Sequence, residues 1–472
     1  MEDQLQLYIT VMDEDSAQTP IHNSKSMVDE ATNSGEIRIL MFPWLAHGHI
    51  SPFLELANKL VSRLPNVQVH LCSSPINLAS ITKLIKHPSR IKLIELNLPS
   101  LPDLPPHSHT TKDLPTHLLL TLMKALDMAS SDFSQILTTL SPDLLICDFF
   151  QPWASKLAFS LLKIPTVLFM TIAAISTVVP FTSMKSSGKF DCLFPLRSNY
   201  FFDYEQVESP SIMDRVFQSW ERSAGILLVK SFREIEAEYI QRLSELVGKS
   251  VLPVGPLVPG DDDENQQPDN DIINWLNNKA PSSVVYISFG SESYLSRRQI
   301  EELAHALVIL IEKAIPINFV WVLRFPQGEE VAISEALPEG FSAAVGERGY
   351  VTEDWAPQRR ILRHESVGGF VSHCGWSSVM EGMKYGVPMV AMPLQNDQST
   401  NASLVEEAGV GLKVGEIERG ELAKVIEEVM IGSNNIIKDK AKEIKHCLLE
   451  KGDRDIDEAI DRLVHLCKTF AE

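Results

Sequence analysis

The sequence of 472 residues is poor in three things, and each shortage excludes a class of protein. Its six cysteines (72, 147, 192, 374, 447 and 467) are scattered, with no CxxC pair, so neither a disulfide framework nor a thiolate metal cluster is expected, only reduced thiols. Positive charge is scarce: 42 Lys and Arg face 62 Asp and Glu, a net charge of −20. That sign is wrong for neutralising nucleic-acid phosphates, and no nucleic-acid partner is expected. A local site in an acidic chain can still be positive, so a small anion remains open as a ligand. No apolar run reaches the roughly 20 residues of a membrane span. The opening MEDQLQLYITVMDEDSAQ has neither the basic start nor the apolar stretch of a secretory signal, and it is too acidic for a transit peptide. The expectation is a cytoplasmic chain without a membrane span.

What the sequence does contain is short apolar runs alternating with helical periodicity. IRILMFP (37–43), VQVHLC (67–72), IKLIEL (91–96), LLICD (144–148) and TVLFM (166–170) read as buried strands. Between them lie a helix over 51–64, with apolar residues at Phe53, Leu54, Leu56, Leu60 and Val61, and one long helix from about His117 to Thr138. The same rhythm restarts after a polar break with SVVYISFG (283–290), a helix over 298–313 and NFVWVLR (318–324). Such alternation predicts α/β architecture, two doubly wound parallel sheets of Rossmann-like type. The boundaries expected are a mobile extension over 1–35, a first domain over 36–253, a linker over 254–272, a second domain over 273–452, and a terminal helix over 453–472. Ile456, Ile460, Leu463, Val464 and Cys467 lie on one stripe of that helix, so it must dock on something.

Two polar residues stand at strand ends in the first half. His49 follows the first strand in PWLAHGHISP, with Gly48 available for a tight turn, and Asp148 closes LLICD. Ends of parallel strands share one edge of a sheet, and a histidine held by a buried aspartate is an arrangement suited to a general base. Each has a plainer explanation: a structural histidine, and an aspartate capping the next helix. His47 and His49 also form an H-x-H pair that a metal-dependent hydrolase can use. A third ligand is then required, and His109, His117 and Asp148 fit no spacing that supplies one.

The second half is organised around residues 355–398, WAPQRRILRHESVGGFVSHCGWSSVMEGMKYGVPMVAMPLQNDQ. GGFVSH reads as a strand, CGWSS as a turn, VMEGMKYG as a helix closed by Gly386, and PMVAMP as a second strand. Polar residues concentrate where the first strand ends and the helix begins, the place where open α/β sheets bind ligands and a helix N-terminus favours an anion. Ser378 and Glu381 fit S-x-x-E, so a capping box competes with ligand binding for both. Asp397 is equally a candidate cap, and Trp355 a candidate for core packing.

This stretch resembles the signature box of plant secondary-product, family-1 UDP-dependent glycosyltransferases in WAPQ, GGFVSHCGW, Glu381, GVPMV and Asp397-Gln398; the clearest departure is Ser377, where the family usually has asparagine. PWLAHGHISP and PDLLICDFFQPWA extend the resemblance into the first half. It implies a GT-B fold: an acceptor-binding first domain and a UDP-sugar-binding second domain facing a cleft, with the terminal helix returning to the first domain. It implies an inverting sugar transferase in which His49 is the base and Asp148 its support. Trp355, Ala356 and Gln358 are implied at the base and ribose, Glu381 at the ribose diol, and His373, Ser377, Ser378 and Ser291 at the diphosphate. Trp376, Asp397 and Gln398 are implied at the sugar ring, and a closing glutamine favours UDP-glucose. UDP-sugar is then a co-substrate; no cofactor or metal is expected, and the chain is expected to be a monomer. ELNLPSLPDLPPHSHTTKDLP (95–115) resembles the branch that adds sugar to the sugar of an existing flavonoid or terpenoid glycoside. His109, Thr110, Thr111 and Thr171 are the residues expected near the acceptor or the transferred sugar. The alternatives are glucosylation of the aglycone itself, a silent nucleotide-sugar-binding protein, a sugar-nucleotide epimerase, and the hydrolase of His47 and His49.

Overall fold

The computed structural model describes residues 35–180, 212–260, 271–326, 331–432 and 436–470. The extension expected over 1–35 lies almost wholly outside them, as does most of the second half of the expected linker. The first sheet contains β1 (Ile37–Phe42), β2 (Val67–Ser73), β3 (Ile91–Glu95), β4 (Leu144–Cys147), β5 (Thr166–Met170), β6 (Ile226–Val229) and β7 (Ser250–Pro253), in the order β3-β2-β1-β4-β5-β6-β7. The second contains β8 (Val284–Ser288), β9 (Asn318–Val322), β10 (Gly349–Thr352), β11 (Val367–Ser372), β12 (Met389–Ala391) and β13 (Gly411–Lys413), in the order β10-β9-β8-β11-β12-β13. All pairings between these strands are parallel.

The strands read as unbroken apolar runs because both faces of each sheet are covered. In β1, Ile37, Ile39 and Met41 enter one core cluster while Leu40 and Phe42 enter the opposite one. In β8, Val284 and Tyr286 face one layer, and Val285 and Ile287 the other. Each strand order reverses direction once, between β1 and β4 in the first sheet and between β8 and β11 in the second. Strand C-termini at such a reversal leave a crevice between diverging connections, where ligands of open α/β sheets bind.

Three local expectations are corrected. No reversal occurs at Gly48: helix α1 (His47–Arg63) already begins at His47, so His49 is its third residue. The long helix over 117–138 is two helices, α2 (Leu119–Met128) and α3 (Ser130–Leu140), broken at Ala129. Asp132 in the first turn favours a new helix start there, and the break lets Leu122 and Leu126 of one helix and Phe133 and Leu137 of the other share a core. The capping box at Ser378 and Glu381 is not formed, because helix α6 (Trp376–Tyr385) has its N-cap at Gly375. Two further helices, α4 (Ile212–Arg222) and α5 (Arg233–Val247), precede and follow β6, and α7 (Gln398–Glu407) follows β12.

Helix α8 (Ile436–Thr469) runs across both halves. Ala441 and Ile444 pack in a core of the second sheet, whereas Ile456, Ala459, Ile460, Leu463, Leu466 and Cys467 pack against the first. The terminal stripe therefore docks on the first domain. Leu463→Ala, at a site 1% exposed, is expected to cost about 2–5 kcal/mol, measured as a lowered denaturation midpoint.

Candidate active site

The first half of the site grows from three neighbouring strands. β1 pairs with β4 and β4 with β5, so the residues just beyond their C-termini meet at one edge. His49 Nδ1 lies 2.7 Å from Asp148 Oδ2, and Thr171 Oγ1 stands 2.9 Å from the same nitrogen. Asp148 is fully buried and its other oxygen accepts the backbone N–H of Phe149 at 2.8 Å. The carboxylate is thus fixed at both oxygens. It draws the imidazole proton to Nδ1 and leaves Nε2 as a free acceptor. The His49 side chain keeps 16% of its surface exposed.

Aromatic rings wall this edge. Trp44 stacks on Phe150 with centroids 4.5 Å apart, Phe150 stacks on Phe149 at 4.4 Å, and both phenylalanines meet the His49 ring edge-on at 5.7 and 6.1 Å. None of the three was singled out in the sequence, where FF after a strand reads as core. The pattern that signals them is a paired aromatic directly after the strand-end aspartate.

The residues expected near the acceptor divide. Thr171 is at His49. His109 and Thr110 are buried (3% and 5%); the His109 carbonyl accepts from Ser74 Oγ at 2.7 Å, and Thr111 donates its backbone N–H to the Leu45 carbonyl. This loop braces the turn that leads into α1. Thr111 Oγ1 also bonds Glu292 Oε1 of the second half at 2.8 Å.

In the second half, β8 and β11 are adjacent, bringing Ser291 and His373 to one edge. The His373 ring sits where glycine alone fits on either side. A Cβ at Gly290, whose φ is +77°, would lie 2.8 Å from Cε1, and one at Gly375 would lie 2.4 Å from Nε2. Burial holds His373 low, at about 4, against the opposing effect of a hydrogen bond to the Ser288 backbone, so the ring is neutral at pH 7. Gln358 Nε2 reaches Glu381 Oε2 at 2.7 Å and Ser378 Oγ at 3.2 Å, which gathers three of the expected residues into one polar group. Trp355 is 75% exposed, beside buried Ala356.

Other expected residues are engaged within the protein. Trp376 is buried and its indole N–H donates to the Lys230 carbonyl of the first half at 2.6 Å. Gln398 Oε1 accepts the N–H groups of Leu394 and Gln395, and its amide donates to Ser293 Oγ. Asp397 stands at the N-cap of α7 without making the cap bond; it accepts from Asn401 Nδ2 at 2.9 Å. Burial raises the Asp397 carboxyl, and the Thr111–Glu292 hydrogen bond joins the two candidate sites across one crevice. Ser176 bridges it as well, to Thr400 Oγ1 at 2.7 Å and Asn401 Oδ1 at 2.9 Å. Among the described residues no group of three or more His, Cys, Asp or Glu is arranged to hold a metal ion, so the H-x-H pair finds no third ligand there.

Two family profiles divide the chain between them. Residues 35–259 match the family described as glycosyltransferase, N-terminal domain, and residues 249–447 match UDP-glucoronosyl and UDP-glucosyl transferase. UDP-glucosyltransferase 29 of Panax ginseng is 46% identical over 449 residues, covering 92% of this chain and 98% of its own. The chain belongs to the UDP-glycosyltransferase family. This glycosyltransferase has the GT-B fold and moves a sugar from a UDP-sugar to a hydroxyl of a secondary metabolite. It is also similar to the β-D-glucosyl crocetin β-1,6-glucosyltransferase of Gardenia jasminoides, at 40% identity over 90% of this chain and 98% of that one. Among solved structures, UGT73P12 of Glycyrrhiza uralensis complexed with glycyrrhetinic acid 3-O-monoglucuronide superposes with a TM-score of 0.80 at 24% identity, covering 92% of this glycosyltransferase and 96% of that chain. No helix among the described residues is long and apolar enough to cross a membrane.

Proposed function

We propose that this glycosyltransferase extends sugar chains, moving glucose from UDP-glucose to a sugar hydroxyl of an existing glycoside, with inversion at the anomeric carbon. The observation that carries the chemistry is the His49–Asp148 pair at 2.7 Å, its Nε2 left as a proton acceptor. In the reaction, Nε2 takes the acceptor hydroxyl's proton while that oxygen bonds to the sugar's anomeric carbon. The bond from that carbon to the UDP oxygen breaks, and its electron pair leaves with UDP. Asp148 then faces a cationic imidazolium. On the donor side, the N-terminus of α6 with neutral His373, Ser377 and Ser378 receives the diphosphate, and its N–H groups and dipole stabilise the charge that develops on departure. No metal is assigned a role. The glucose and glycoside assignments are supported by the resemblance of 95–115 and by relatives named as glucosyltransferases, one of them by its name on β-D-glucosyl crocetin. The aromatic wall of Trp44, Phe149 and Phe150 suits a flat or polycyclic aglycone lying beside His49. A cytoplasmic monomer completes the reading; the cysteines, free of disulfides among the described residues, suit a reducing compartment.

A donor-by-acceptor screen tests it. Hexose added to monoglucosides and not to aglycones, from UDP-glucose in preference to other UDP-sugars, is the expected result. Equal transfer to aglycones overturns the glycoside assignment. Trp355→Ala is expected to raise the KM for UDP-glucose roughly 10-fold through loss of base stacking. A side chain that is 75% exposed contributes little to the core, so the thermal midpoint stays where it was.

A further inference from the structure

Lys230 lies just beyond β6, in the first half, and only 2% of it is exposed. Its ammonium crosses the crevice and donates to Ser377 Oγ at 2.8 Å, while its own carbonyl accepts the Trp376 indole. Ser377 is the second residue of α6. A buried cation therefore sits at the positive end of a helix, a pairing that electrostatics disfavours.

Lys249 shows how the same chain treats a half-buried lysine with a structural task. Its ammonium donates to the carbonyls of Trp220, Glu221 and Ser223, at the C-terminal end of α4, where the helix dipole favours a cation. Lys230 has one hydroxyl for an acceptor and, among the described residues, no ion pair. Burial lowers it to about 8, with Glu381 opposing the fall, so it is largely protonated at neutral pH. A buried ammonium from one half and a helix N-terminus of the other converge on one turn, and an anion would complete both.

We infer that Lys230 is a donor-binding residue supplied by the acceptor domain, its ammonium contacting the diphosphate of the UDP-sugar beside Ser377. The inference rests on the donor site proposed above. It also explains the departure at position 377. Asparagine is longer than serine and would occupy the space into which the ammonium reaches; serine leaves that space open and accepts one of its protons. Lysine and serine together replace the asparagine amide with a full charge. Because the charge comes from the other domain, tight diphosphate binding requires the two halves to be together.

The test is calorimetry with UDP, UMP and uridine on the full chain and its Lys230→Gln variant. Glutamine keeps a donor for Ser377 Oγ and removes the charge. The expected result is a loss of UDP affinity of about 10- to 100-fold, the size of a charged hydrogen bond, with uridine affinity within about twofold and UMP between them. Lys230→Met is expected to behave alike, and Lys230→Arg to recover part of the UDP affinity. Unchanged UDP binding in a folded variant overturns the inference, as does an equal loss for UDP and uridine. Failure of the unsubstituted chain to bind UDP would instead overturn the donor-site assignment itself.

Discussion

Replacing His49 by glutamine is expected to lower kcat for sugar transfer by on the order of 10²- to 10⁴-fold, the usual contribution of a positioned general base. Glutamine can still donate to Asp148, so the buried carboxylate keeps a partner and the fold is retained. Nothing in its side chain can take a proton from an alcohol at neutral pH. UDP affinity should be nearly unchanged, because the hydrogen-bond partners of the His49 ring are Asp148 and Thr171, neither of them placed at the UDP group. Measured kcat, KM and UDP binding separate the possibilities: a loss confined to donor affinity would place His49 outside the chemical step. His49→Ala loses the base too but strands Asp148, so its lower thermal midpoint would complicate the comparison.

The second large effect is expected from Asp148→Asn, and its direction follows from the two hydrogen bonds at the carboxylate. Oδ1 accepts the Phe149 backbone N–H at 2.8 Å, a donor that cannot change its role. The asparagine oxygen must take that position, which turns the amide NH₂ toward His49 Nδ1. Nδ1 then becomes an acceptor, the ring proton moves to Nε2, and the atom that should receive the substrate's proton is already occupied. A fall in kcat on the order of 10²- to 10⁴-fold with little change in either KM is expected. The nitrogen NMR shifts of His49 provide the independent check, since they report which ring nitrogen is protonated. An unaltered tautomer with unaltered rate would remove Asp148 from the mechanism.

Both effects concern residues that the sequence already marked, because a polar residue directly after a buried apolar run is forced to a sheet edge. The strands themselves were legible for the same reason: VVYIS and TVLFM have little alternative to burial on both faces. What was hidden was everything set by the meeting of distant segments. Lys230 follows an apolar run like any strand-end lysine, and nothing local says that its ammonium reaches Ser377, 147 positions away. Glu236 reads as one acid on an amphipathic helix. In the structure it is fully buried, accepting the N–H groups of Ala174 and Ile175 and the hydroxyl of Ser231, and burial pushes its carboxyl up against those bonds. Trp376 and Gln398 sit in the expected box, yet partners outside it or a few residues earlier engage their polar groups. The break at Ala129 was obscured by apolar periodicity that continues through it.

The crossing of α8 from one half to the other has a consequence for how the protein is made. Residues 456–467 cover the face of the first sheet formed by β1 and its neighbours, yet they are translated after every strand of the second sheet. While the ribosome is still extending the chain, that apolar face lacks its cover, although the strands beneath it emerged long before. Vectorial synthesis therefore exposes a sticky surface on the earlier half until the final helix emerges. Stalled or prematurely terminated chains would be clients for chaperones rather than half-active enzymes.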